Sequence, residues 1–355
     1  MNLINETIGT NNVEIIIGRG ALNRLREINE NKVILRSKSV NLDLNYLLKG
    51  EKFLEIEIPD GEEAKSFDNV VNIIDKLISN NIKRNHYIVA IGGGTVTDVA
   101  GFVASVYMRG LKLVNVPTTL LGMVDASIGG KNAINFKNVK NILGTFYQPS
   151  LIIDDLSFLD TLSLDEIKKG LAEVIKYALI LDYSLYTFLA EHKDAILSKD
   201  DEMLENVINR SVENKLNIVK EDEREEEGIR IVLNFGHTIG HAIEAGSGFK
   251  IPHGYAISVG MVCEAKMFEE LGYAEEGVVE DVIWLLSLYG LPIDVAKLEE
   301  KINLNDALNA LELDKKSRND VVLMPTPVRI GEWKKVEVPI NVVKGFAQQC
   351  LKKEI

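Results

Sequence analysis

HYIVAIGGGTVTDVAGFVAS, residues 86 to 105, is the stretch on which the fold turns. A β-rich run closes on three consecutive glycines, Gly92, Gly93 and Gly94, and a helix-compatible run begins at once. Glycine lets the backbone turn tightly and approach a ligand, while the N–H groups at a helix start attract phosphate oxygens. A dinucleotide pyrophosphate fits that arrangement, although a plain structural turn would use the same residues. The spacing is not GxGxxG, and the loop follows about the fourth strand rather than the first. Asp98, one turn further on, is placed to orient the nicotinamide or ribose end of such a ligand, or to hydrogen-bond near the helix start.

Working outward, VEIIIGRG, KVILRSK, KFLEIEIP and LKLVNVPTT read as further strands, and KSFDNVVNIIDKLISNNI at 65 to 82 as a helix between them. Strands alternating with helices indicate a mostly parallel sheet covered on both faces. After SLIIDDLSFL at 150 to 159 the texture changes, and LSLDEIKKGLAEVIKYALIL, DEMLENVINRSVENKLNIVKEDE and AISVGMVCEAKMFEEL repeat apolar residues at helical spacing. The expected architecture is an α/β nucleotide-binding domain with a mostly parallel sheet over 1–159, then a mainly α-helical metal-binding domain over 160–355. VVLMPTPVRIG at 321 to 331 is a small β excursion within the second.

Composition narrows the partners. A formal charge of −13 argues against nucleic acid and anionic membranes, while a local basic pocket for a small phosphorylated substrate remains compatible with it. Two cysteines, Cys263 and Cys350, form no framework, and the N-terminus MNLINETIGTNN has no signal-peptide pattern. No apolar run approaches the roughly 18 residues of a spanning helix. A soluble cytoplasmic protein is the expectation.

Two further passages concentrate chemistry. VPTTLLGMVDASIGGKNAINFKNVKNILGTFYQP, 116 to 149, carries Thr118, Thr119, Asp125, Lys131, Lys140 and Asn141 in a long connection without obvious periodicity, which is more often functional than spacer. With Arg109 in YMRG, its lysines are candidates to line an anion pocket, although each taken singly reads as a solvent-facing side chain. LNFGHTIGHAIE, 233 to 244, sets His237 and His241 on one helical face beside a carboxylate, and IPHGY adds His253, in a chain with five histidines. GLAEVIKYA adds Glu173 and Lys176 on a common face. Catalytic zinc takes three protein ligands and leaves a position open. Spacing does not choose among the three histidines and Glu173, and hydrogen bonding within a polar helix is the bland alternative. Thr238 stands where the HExxH base would be, so the base of that metalloprotease motif is absent.

The runs GGGTVTDVAGFVAS, VPTTLLGMVDASIGGKNAIN, KNILGTFYQP, GLAEVIKYALI, GIRIVLNFGHTIGHAIE and IPHGYAISVGM resemble the 3-dehydroquinate synthase family, in family order, from about residue 60 to about residue 275. The resemblance implies NAD and Zn2+, with Co2+ as a substitute, and zinc ligands Glu173, His237 and His253. It makes His241 a non-ligand histidine in proton transfer, and matches Asp125, Lys131, Asn141, Lys176, Lys215, Arg230 and Asn234 to positions that hold a phosphorylated sugar-acid substrate. Arg109 matches a phosphate contact that reaches a neighbouring subunit, so a homodimer is implied. Glu62 and Lys65 match a second NAD contact region, and Gly92 to Gly94, Asp98, Thr118, Thr119, Lys131 and Lys140 the cofactor side. Lys315 and Lys316 echo a late basic pair. One departure concerns the end of the second long strand, where Ser37 and Lys38 replace the family's acidic end and leave room for a 2′-phosphate. The implied reaction converts 3-deoxy-D-arabino-heptulosonate 7-phosphate to 3-dehydroquinate and phosphate. A polyol dehydrogenase, other sugar-phosphate cyclases and a non-catalytic dinucleotide-binding protein are the rival readings.

Overall fold

The computed structural model describes residues 1–137, 139–313, 317–318 and 320–352. The chain forms two compact units, Met1–Ser163 with Lys199–Arg224, and Leu164–Ser198 with Glu225–Ile355. The first change of unit lies close to the boundary expected at 159/160. The return of 199–224 to the first unit has no signature in sequence texture, because its helix carries ordinary amphipathic spacing.

The first unit is built on β1 (Asn2–Ile8), β2 (Asn11–Ile17), β3 (Lys32–Ser37), β4 (Phe53–Ile58), β5 (Tyr87–Gly92), β6 (Lys112–Pro117), a hairpin of β7 (Lys131–Phe136) and β8 (Val139–Phe146), and β9 (Leu151–Asp154). Seven of these form one sheet in the order β1-β2-β9-β6-β5-β3-β4. Every pair in it is parallel except β1 with β2. Burial on both faces explains the near-continuous apolar strands. Val33, Leu35, Ile88 and Ala90 pack on one face with Val96, Val99 and Val103 of the helix Gly94–Val106. Ile34, Val89 and Ile91 point to the other, with Leu22, Leu25, Leu44 and Leu47. This is the period-2 alternation of strand side chains. The helix Phe67–Ser79 starts where the Ser66 side chain accepts a hydrogen bond from the Asn69 N–H, and it buries Val70, Ile73 and Leu77 at helical spacing. The helix Asp201–Glu221 packs on β1 and β2 and buries Leu204, Val207, Ile208, Val212 and Leu216. At the end of β9 the Asp154 carboxyl is fully buried with neither oxygen hydrogen-bonded, and burial pushes its pKa well up.

The second unit is mainly helical, as expected: Leu164–Ile180, Tyr183–Leu197, His237–Gly246, His253–Glu270, Val278–Leu288, Leu304–Leu313 and Ile340–Leu351, with an antiparallel sheet of β10 (Ser317–Arg318), β11 (Val321–Arg329) and β12 (Glu332–Pro339). β11 is the β excursion read in VVLMPTPVRIG. Its helices approach closely at glycine. A Cβ on Gly254 would collide with the Lys169 carbonyl oxygen and stand 2.8 Å from Lys169 Cα, and one on Gly260 would collide with the Gly236 carbonyl oxygen. Among the described residues no helix is long and apolar enough to cross a membrane.

The expectation that the cysteines form no framework is corrected here. Cys263 and Cys350 are disulfide-bonded, with Cα atoms 6.1 Å apart, tying the helix Ile340–Leu351 to the helix His253–Glu270. Spacing could not reveal this, since the two lie 87 positions apart. A bond that closes so long a loop restricts the unfolded chain, so Cys350→Ser lowers stability by roughly 2 to 4 kcal/mol. Thermal melting of parent and variant with and without reductant checks this: reductant should lower the parent's Tm to that of the variant and leave the variant unmoved.

Candidate functional site

In the large sheet β3 and β5 are neighbours, and the chain runs outward from β3 to β4 on one side and from β5 to β6 on the other. Their carboxyl ends therefore make the switch point at which open α/β sheets take ligands. The three glycines stand there. A Cβ on Gly92 would lie 2.7 Å from Val96 Cγ2 and 3.1 Å from Ser37 Cβ, and one on Gly94 would lie 2.9 Å from Ala126 Cβ. At Gly93 the nearest atom to an added Cβ is 3.5 Å away, so a methyl group there would fill a cradle rather than collide. Gly93 caps the helix Gly94–Val106 without any side-chain hydrogen bond. A cradle at an uncapped helix start suits a pyrophosphate.

Most sequence-predicted residues of this unit meet in linked polar groups around that switch point. Lys65 Nζ donates to Asp98 Oδ2 and to Asn141 Oδ1, each at 2.5 Å. Burial pushes the Asp98 carboxyl up to about 6 against the pull of the Lys65 ammonium. Glu62 accepts from Asn135 Nδ2 at 2.7 Å and lies 3.7 Å from Lys140 Nζ. The Thr118 N–H donates to the Gly92 carbonyl, and Thr119 Oγ1 accepts from the Gly122 N–H. Lys215, on the returning helix, donates to the Asp125 carboxylate at 2.8 Å and to its carbonyl at 2.6 Å. Lys131 is exposed at the first position of β7. Arg109 stands apart: it follows the far end of the glycine-loop helix, about 20 Å along the axis from Gly94, exposed and with φ of 64°.

The second unit brings Glu173, His237 and His253 together. One ligand atom from each lies within 4.8 Å of the others. Glu173 Oε1 is 3.3 Å from His237 Nε2 and 3.1 Å from His253 Nε2. Glu173 and Lys176 are fully buried and ion-paired, one helical turn apart on Leu164–Ile180. Burial opposes ionisation of Glu173, but the Lys176 ammonium and His237 outweigh it and hold its carboxyl well below the usual range. A buried carboxylate with one oxygen paired to Lys176 and the other facing two imidazole nitrogens forms a donor set suited to a divalent transition metal. Burial lowers the pKa of His237, whereas at His253 burial is overcome by hydrogen bonds to the Glu173 and Glu244 carboxylates, which raise its pKa to about 10. His241 sits outside the triad with its side chain half exposed. Arg230 and Asn234 lie on the short 3-10 segment Arg230–Asn234, just ahead of the His237 helix, and Arg230 is buried. Lys315 and Lys316 lie outside the described residues.

Three carboxylates escape a reading by motif. Glu264, fully buried on the His253 helix, accepts from the Gly236 N–H at 2.7 Å and the Ile239 N–H at 3.0 Å, and so fixes the start of the His237 helix. Glu244 reaches His253; its spacing of i, i+4 and i+7 with His237 and His241 is the signal that could have found it. Asp60, at the end of β4, accepts from the hydroxyls of Ser37 and Ser39. It brings a carboxylate to the place where the sequence of β3 itself has none.

Residues 55–169 match the model of the 3-dehydroquinate synthase N-terminal domain, and residues 170–317 that of its C-terminal domain. A 3-dehydroquinate synthase of Saccharolobus solfataricus is 59% identical, with 99% of this chain and 100% of that protein covered. Among solved structures, 2-deoxy-scyllo-inosose synthase complexed with carbaglucose-6-phosphate, NAD+ and Co2+ is similar with a TM-score of 0.89 at 25% identity, covering 99% of this chain and 100% of that one. The 2-epi-5-epi-valiolone synthase of Streptomyces hygroscopicus with NAD+ and Zn2+ bound has a TM-score of 0.84 at 25% identity, covering 100% of this chain and 99% of that one. With both family models matched in order over most of its length and a full-length relative at this identity, the chain belongs to the 3-dehydroquinate synthase family.

Proposed function

We propose that the chain converts 3-deoxy-D-arabino-heptulosonate 7-phosphate to 3-dehydroquinate and phosphate, a redox-neutral cyclisation of the shikimate route in which nicotinamide is not consumed. The reading rests on one observation: Glu173, His237 and His253 present their ligand atoms within 4.8 Å of one another, in a chain whose relatives by full length are 3-dehydroquinate synthases.

Glu173, His237 and His253 hold the divalent metal, and Gly92 to Gly94, Asp98, Thr118, Thr119, Glu62, Lys65, Lys131 and Lys140 hold NAD. When bound, the metal supplies Lewis acidity toward a substrate hydroxyl, and NAD a hydride acceptor restored within the same turnover. Lys131, Lys176, Lys215 and Arg230 balance the charge of the substrate's phosphate and carboxylate, and Asp125, Asn141 and Asn234 orient its hydroxyls. Such contacts work by fixed charge and direction: losing one costs about 2 to 4 kcal/mol in the transition state, by analogy with an oxyanion donor. His241 is suited to move protons, since its imidazole can both give and take one and its half-exposed ring can exchange with solvent. Arg109 is assigned to the phosphate site of a second subunit by the family position it matches; the functional species is then a homodimer.

Heptulosonate phosphate supplied with catalytic NAD and zinc should release phosphate and dehydroquinate in equal amounts with no net NADH. Steady NADH accumulation from glycerol or glycerol phosphate, without cyclisation, would instead select a polyol dehydrogenase.

A further inference from the structure

We propose that Glu244 is a positioning residue of the metal centre, holding the His253 ring so that Nε2 is the nitrogen offered to the ion. The inference rests on the assignment of Glu173, His237 and His253 as ligands.

The two histidines of the triad are oriented by the same device with different acceptors. His237 Nδ1 lies 3.1 Å from the Phe235 carbonyl oxygen, which leaves Nε2 facing Glu173 Oε1 at 3.3 Å. His253 Nδ1 lies 3.3 Å from Glu244 Oε2, which leaves Nε2 facing the same Glu173 oxygen at 3.1 Å. A ring that donates from Nδ1 keeps its lone pair on Nε2, and a carboxylate behind a ligand imidazole both fixes that tautomer and makes the ligand a stronger donor.

His253 needs this support more than His237 does. Its side chain is 30% exposed against 9% for His237, and it opens a helix directly after Pro252. Glu244 comes from the last turn of the neighbouring helix His237–Gly246 and is itself only 15% exposed. The same Oε2 stands 3.9 Å from His241 Nε2, so one carboxylate touches both a proposed ligand and the proposed proton carrier.

His241, Glu244 and His253 also bring ligand atoms within 4.8 Å of one another, so a second ion on Glu244 is the competing arrangement. Stoichiometry separates the two. Zinc binding is measured by competition against a chromogenic chelator in the full-length parent, Glu244→Gln and Glu244→Ala, together with the visible spectrum of the Co2+ form and melting of the metal-free proteins. The expected result is one ion per chain in all three, an affinity about 10- to 100-fold weaker in Glu244→Ala, a smaller loss in Glu244→Gln, which keeps an acceptor oxygen, and an altered cobalt spectrum in Glu244→Ala at unchanged metal-free Tm. Parental affinity and spectrum in both variants overturn the proposal. So does a second ion in the parent that both variants lose. Absence of any ion from the folded parent removes the ligand assignment and this inference with it, whereas failure of the Glu244 variants alone leaves that assignment standing.

Discussion

Glu173→Gln yields a protein that retains no stoichiometric zinc and turns over roughly a thousandfold more slowly. The amide keeps the shape of the side chain but removes the charge that neutralises the ion. Even an outer partner of a metal ligand is worth roughly 10- to 100-fold in affinity, and a ligand itself is worth more. The rate loss follows from about 4 kcal/mol of charge stabilisation supplied by the metal. A second effect accompanies the first. Lys176 is 1% exposed and faces Glu173, so the variant strands a buried ammonium, a change that costs roughly 3 to 5 kcal/mol when one partner of a buried pair is removed. Adding Lys176→Met should restore much of the melting temperature without restoring zinc. Metal analysis by mass spectrometry, phosphate release and thermal melting separate the two effects. Near-parental zinc in Glu173→Gln would end the case for this triad.

Gly254→Ala should lower both stability and metal affinity, against the usual sign of the substitution. In a helix interior alanine is favoured over glycine by about 1 kcal/mol. Here the added methyl would run into the carbonyl oxygen of Lys169, a backbone atom that cannot swing aside. Either the His253 helix or the Glu173 helix must move, and these two helices carry facing members of the triad. Overpacking of this kind costs about 1 to 3 kcal/mol, occasionally more, and a displacement of His253 from Glu173 weakens the donor set by at least tenfold, as loss of an outer partner would. Gly345→Ala is the matched control. Gly345 lies in the helix Ile340–Leu351 with nothing within 4 Å of an added Cβ, so there alanine should stabilise by up to about 1 kcal/mol. Melting curves and chelator competition on both variants check the contrast; equal behaviour at the two positions would mean that the helix crossing is looser than its geometry.

The parts of this molecule that are legible in the sequence are those where one strong period or one backbone requirement dominates. HYIVAIGGG reads as a buried strand because β5 is covered on both faces, and the glycines after it read as a turn because side chains crowd two of the three positions. The hairpin of β7 and β8 hides inside a connection taken as aperiodic, since β8 buries no residue fully and its alternation never becomes apolar against polar. β1 is missed for the same reason, with one buried residue in seven. For the metal triad, residue spacing leaves the choice among three histidines open; the family motifs name a set, and that set is the one whose ligand atoms meet around Glu173. Asp60, Glu244 and Glu264 act through neighbours brought close only by folding. No local pattern marks Asp60 or Glu264, whereas Glu244 carries helical spacing with His237 and His241 and only its contact with His253 waits on folding; the pairing of Cys263 with Cys350 is hidden as those of Asp60 and Glu264 are.

The returning helix Asp201–Glu221 bears on how this gene can be cut. A truncation after residue 163 would delete one wall of the nucleotide-binding unit together with Lys215, and would leave bare the apolar surface that Leu204, Val207, Ile208 and Val212 cover. Such a fragment would aggregate rather than serve as a free-standing dinucleotide module. A portable version needs 199–224 grafted back onto it, and shuffling of this fold between relatives has to exchange those two segments together.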